Sequence, residues 1–202
     1  MSNPGFWARV VGSLAGAVLI TAAFSGCTIN GPDEPAPSPS SQQPQPQRPR
    51  DLPVKGLTEQ QICGLVKPEQ EPQIGAFGPS PAPKDGQQDF PGCVWQSPSG
   101  GVPYGIGVSV APMGIDELQG TKMPPAPETA ATYSIGEGFR AVQAQATGAE
   151  GLGCVVDVDA AEGQTLEVNI AMLQSGALPN QEQCARAKQA AEIVVGNLQQ
   201  QG

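Results

Sequence analysis

Asp157, Asp159 and Glu162 form the tightest carboxylate group in the sequence. On a strand, Asp157 and Asp159 stand two residues apart and share one face, with Val156 and Val158 on the other. Glu162, in the turn that follows, would complete a small set of hard oxygen ligands of the kind that holds Ca²⁺. Ca²⁺ takes six or more oxygens, so the plainer expectation is a solvated outer face ending in a polar turn. Other chemistry is thinner. The chain has no His, which removes the commonest general base and the commonest zinc ligand. Lys55, Lys67, Lys84, Lys122 and Lys188 stand in no recognisable Ser–Lys arrangement. Gly105 and Gly107 match only a fragment of a phosphate-binding loop and interleave with apolar strand residues. A bulge or the close approach of another backbone is expected there instead. Trp95 reads as a core residue beside a disulfide rather than the wall of a ligand pocket. No catalytic residue, metal or cofactor is assigned. A hydrolase acting through two carboxylates stays open as an alternative.

The sulfurs carry more information. Arg9 and then an apolar run of about 15 residues, Val10 to Phe24, precede Ser25, Gly26 and Cys27. The run is short for a membrane span, and small residues behind it suit signal-peptidase processing. Phe24-Ser25-Gly26-Cys27 resembles the bacterial lipobox, which implies acylation of Cys27 by palmitate-class chains. Parity agrees: of five Cys, lipidation of Cys27 leaves Cys63, Cys93, Cys154 and Cys184, an even set for an oxidising compartment. Several acyl chains anchor a protein durably where one does not. The expected organisation is a signal peptide over 1–26, lipidated Cys27 with a Pro-rich tether over 27–53, and one extracytoplasmic domain over 54–202.

Eight of the 26 residues from Thr28 to Pro53 are Pro. Such composition favours extended polyproline II, and at ~3.1 Å per residue the spacer reaches up to ~80 Å. Without residues 1–26 the chain keeps nine basic and 19 acidic residues, a net charge of −10. That balance repels nucleic acid, which is rejected as a partner.

Within the domain, Thr58 and Gln61 have capping-box spacing, with Leu57 and Ile62 placed as a hydrophobic staple, so a helix carrying Cys63 is expected. A last helix is expected from Asn180 as cap, with Gln183 three residues on; Cys184, Ala187, Ala191, Val194 and Leu198 share its face. Between them the period is two. Val102, Tyr104, Ile106, Val108 and Val110 form one apolar strand face, and Cys154, Val156 and Val158 pair in a hairpin with Leu166, Val168, Ile170 and Met172 through a turn at residues 159–163. Four cysteines allow three pairings, and sequence alone selects none. A helix laid over the sheet favours Cys154 with Cys184. Pairing Cys63 with Cys93 needs the short Cys93-Val94-Trp95 strand to face the first helix.

Lipobox, tether, the segment LTEQQICGLV, the strands GCVW and GCVVDV and the terminal helix QCARAKQAAEIVVGNL together resemble the actinobacterial lipoproteins known as domain of unknown function 3558. The resemblance spans most of residues 52–202. It implies an α+β fold, a disulfide-braced α/β sandwich in which an N-terminal and a C-terminal helix cover an antiparallel sheet, on the outer face of the cytoplasmic membrane. It implies no activity. The expected function is a membrane-anchored module for a small apolar ligand or an envelope protein, with a passive structural lipoprotein or a carboxylate-dependent envelope enzyme as alternatives.

Overall fold

A computed structural model describes residues 48–83, 90–121, 131–145, 153–174 and 178–202, all within one compact unit spanning residues 43–202. In chain order the elements are α1 (Glu59–Cys63), α2 (Glu71–Ile74), β1 (Phe77–Pro81), β2 (Gly92–Gln96), β3 (Tyr104–Ala111), α3 (Ile115–Thr121), β4 (Ala131–Ile135), β5 (Phe139–Gln145), β6 (Gly153–Ala161), β7 (Gln164–Met172) and α4 (Asn180–Gln199). The seven strands form one antiparallel sheet in the order β1-β2-β3-β7-β6-β5-β4. The fold is α+β.

The period-two pattern sets the sheet's inner face. Cys154 pairs with Ile170, Val156 with Val168 and Val158 with Leu166 across β6 and β7, while Ile106 and Val108 of β3 oppose Ile170 and Val168. All of these are essentially buried. Over them lies α4, whose Ala187, Ala191, Val194 and Leu198 recur at helical spacing and are fully buried. Burying a Val or Leu side chain contributes ~1.5–3 kcal/mol, so this seam is the main source of cohesion. α1 packs on the β2 end of the same layer, fixed at its start by the expected Thr58–Gln61 capping box.

Two local expectations are corrected. Asn180 is the first residue of α4 rather than its cap: Pro179 occupies the cap position and no side chain caps the helix. Pro179 presets an extended entry and has no N–H to satisfy. Gln183 instead turns its amide to the Leu178 carbonyl at 2.8 Å. The β6–β7 turn is also tighter than residues 159–163, since Asp159 pairs with Thr165 and Ala161 with Gln164. Gly163, at φ +64°, closes the shorter turn, and a register shift between Asp159 and Ala161 absorbs the extra residue.

The chain also joins the domain earlier than residue 54. Leu52 and Val54 are buried, the Leu52 N–H donates to the Ala160 carbonyl at 2.8 Å, and Arg48 bonds Asp159 at 2.6 Å. Residues 48–54 are a strap laid along the end of β6. Two apolar side chains, a backbone hydrogen bond and an arginine–aspartate pair hold it there.

Candidate functional site

The three candidate metal ligands are not gathered. Asp157 is completely buried, Asp159 lies at the strap and is held by Arg48, and Glu162 is exposed in the turn. Among the described residues no three His, Cys, Asp or Glu side chains come together as a metal site. Nor is the outer face at Asp157 solvated. α3 lies across β6 and β7 with Ile115 and Leu118 buried, and it brings Gln119, whose amide Nε2 donates to Asp157 Oδ2. Thr165, also fully buried, donates its hydroxyl to the Met113 carbonyl at 2.9 Å just ahead of the helix. Arg140 on β5 makes two bonds to Asp116, at 2.7 and 3.2 Å. The hydrogen bond to Asp116 is the main influence raising the Arg140 pKa, against the opposing effect of burial. The carboxylates here fasten a short helix to the sheet. A buried carboxyl matched by an amide anchors the helix because parting them would leave a polar group unmatched in the interior.

A second polar group sits near the start of β3 and of α4, and no sequence pattern pointed to it. The Tyr104 hydroxyl donates to the Gly75 carbonyl at 2.7 Å and accepts from Arg186 Nη1 at 2.8 Å. Arg186 lies 5.2 Å from the Tyr104 ring centroid, within cation–π range, and its Nε and Nη2 both reach Glu182 Oε1, at 3.2 and 2.7 Å. That hydrogen bonding outweighs burial and raises the Arg186 pKa. Gly75 ends α2 with φ +65°, and a Cβ there would strike the Tyr104 oxygen and Arg186 Nη1. The positive φ and the crowding both call for glycine. The hydroxyl's single proton and the guanidinium's reach are taken up in tying α2, β3 and α4 together.

The sulfurs brace the inner face. Cys63 is bonded to Cys93, joining α1 to β2, and Cys154 to Cys184, joining β6 to α4, each across 30 residues. Trp95, in the same strand as Cys93, is fully buried, and its Nε1 finds no acceptor among the described residues. Gly105 and Gly107 lie on the opposite face of β3. The feature that crowds Gly107 is the Asn169 side chain from β7, which occupies the place of a Cβ, rather than another backbone. No phosphate loop is formed, because both glycines sit in a continuous ladder. Of the lysines, Lys188 stands 4.7 Å from the Tyr133 ring centroid; Lys84 and Lys122 lie outside the described residues.

What fold and site define together is an antiparallel α+β domain, cross-braced by two disulfides, whose ion pairs and buried polar groups lock elements to one another. Residues 22–197 match the family described as Protein of unknown function (DUF3558), and the chain belongs to that family. No curated protein and no solved structure matches the chain. Residues 1–47, on which the expected signal peptide, the expected lipidation at Cys27 and most of the expected tether fall, lie outside the described residues. Among the described residues no helix is long and apolar enough to cross a membrane.

Proposed function

We propose that the protein is a lipid-anchored lipoprotein of an actinobacterial cell envelope, processed by signal peptidase before Cys27. The domain is displayed outside the cytoplasmic membrane as a binding module for a small apolar ligand or an envelope protein. The observation that carries this reading is the fate of the thiols. Four of five cysteines are consumed in two disulfides, as an oxidising compartment favours. The fifth, Cys27, follows an apolar run and the small pair Ser25-Gly26. The family match reaches back to residue 22, so it includes Cys27 and the tether. A binding role rather than catalysis is supported by how the charged groups are used. Asp159, Asp116 and Glu182 are each engaged by an arginine, and the arginines belong to the scaffold.

Cys27→Ser tests the anchor. The wild-type protein is expected in the membrane fraction, with an N-terminal peptide heavier by its acyl groups, and globomycin or the substitution is expected to leave an unprocessed precursor. Unchanged mass and fractionation would refute lipidation. Crosslinking in intact envelopes should return a reproducible partner or ligand; a consistently empty result would favour the passive structural alternative.

A further inference from the structure

Between Cys27 and Lys55 the only basic residues are Arg48 and Arg50. The Arg48 peptide bond leads into Pro49, whose ring and missing N–H make it a poor substrate for a trypsin-like protease. Arg50–Asp51 is therefore the one peptide bond in this stretch with a basic residue on its acyl side and a non-proline after it. The structure surrounds that bond with anchors. Ahead of it, Arg48 bonds Asp159 at 2.6 Å and Asp51 at 2.8 Å. Behind it, the Leu52 N–H is held by the Ala160 carbonyl, and Leu52 and Val54 are buried. The Arg50 side chain itself donates to the Gln199 carbonyl at 2.9 Å, at the C-terminal end of α4 where a cation is favoured, and lies 3.6 Å from Glu137.

We propose that Arg50–Asp51 is a release site for a trypsin-like protease, one with an acidic pocket for arginine, and that the docked strap keeps it closed. Hydrolysis adds water across the bond. The C–N bond breaks, the Arg50 carbonyl carbon gains the oxygen, and the Asp51 nitrogen takes up a proton. A protease needs several residues on both sides extended into its cleft, and backbone that is bonded and seated resists this. Cleavage then follows the fraction of time that the strap is undocked. The site lies between anchor and domain, so cutting there would free the domain from the membrane; that consequence rests on the lipoprotein reading, whereas the cleavage itself does not.

Limited trypsin digestion of the full chain, read by mass spectrometry, tests the closure. In Asp159→Asn, which removes the charge facing Arg48, the fragment beginning at Asp51 should form about tenfold faster than in wild type. Arg50→Gln should abolish that fragment. Cleavage after Lys188, inside α4, reports global unfolding and should stay unchanged in Asp159→Asn. Arg48→Gln, the other end of the same pair, should match Asp159→Asn if that variant folds poorly. Equal rates after Arg50 in wild type and both variants, or cleavage after Arg50 only together with cleavage after Lys188, would overturn the proposal. Because the domain fragment is read by its own mass, the result stands apart from whether Cys27 carries lipid.

Discussion

The two faces of the sheet are held by different physics. On the inner face, Ile106, Val156, Val168 and Ile170 meet α4 through Ala187, Ala191 and Val194, and covalent bonds join α1 to β2 and β6 to α4. On the outer face, α3 contributes two buried apolar residues, Ile115 and Leu118, and is otherwise attached by Gln119 to Asp157, Arg140 to Asp116 and Thr165 to the Met113 carbonyl. Dispersion and burial are non-directional and tolerate imprecision. Hydrogen bonds to buried polar groups do not: each such bond contributes little net, yet leaving one partner unmatched costs its full desolvation. The inner face should therefore resist perturbation by mass of contact, and the outer face should fail one bond at a time.

The largest expected effect comes from cutting the inner brace. A disulfide spanning 30 residues restricts the unfolded chain by about 3.6 kcal/mol in the chain-entropy account. The double substitution Cys154→Ala with Cys184→Ala is expected to lower stability by about that amount in urea denaturation, with the sheet's far-ultraviolet signature retained in the absence of denaturant. If stability were unchanged, apolar packing alone would fasten α4, and the contrast between covalent and polar fastening would have to be withdrawn.

The contrast also explains what could be read in advance. β3, β6 and β7 were legible because alternation is a local signal: each apolar residue on these strands faces the same way whatever the partner is. The capping box at Thr58 and Gln61 was legible for the same reason, since both residues lie within one turn. The parity of Cys154 on its strand put it beneath the helix that carries Cys184, and those two sulfurs are bonded. α3 was not legible. It has seven residues, too few for helical periodicity to emerge, and its meaning comes from Asp157, 38 positions beyond Gln119. The Tyr104–Arg186 contact spans 82 positions and leaves no spacing to detect. Residues 48–54 were hidden by composition, because proline-rich chain reads as spacer even where Leu52 and Val54 are buried. The hairpin of β4 and β5 escaped too, its strands mixing small and polar residues with little alternation.

A smaller effect sharpens the outer half of the comparison. Gln119→Ala removes a donor from a buried carboxyl and is expected to cost about 2 kcal/mol, within the range for leaving a buried polar group unmatched. In an Asp157→Ala background the same substitution should cost less than about 1 kcal/mol, because the acceptor is already gone. Urea denaturation of the four proteins gives the coupling directly. Additive losses would mean that α3 is held by Ile115 and Leu118, as the inner helices are held, and that the polar fastening is incidental.

An effect felt only at high pH lies at the sheet's β4 edge, beside α4. Tyr133 is half-buried, with its hydroxyl 3.4 Å from Gln143 Oε1, and its pKa is raised to about 12, first by burial and then by the negative charge of Glu192. In the unfolded chain a tyrosine loses its proton near pH 10. Between those values the folded protein keeps a proton that the unfolded chain has released. The contribution to stability is thus complete below pH 10 and is lost as pH rises towards 12. The chain has two tyrosines, so a Tyr104→Phe variant leaves one phenol to follow by its ultraviolet absorbance. Its ionisation midpoint is expected at about 12, and Glu192→Gln should bring it down part of the way by removing the like charge while leaving burial in place. A midpoint at the ordinary value near 10 would show that water reaches this ring freely, and that the apolar shelter of the α4 seam ends short of β4.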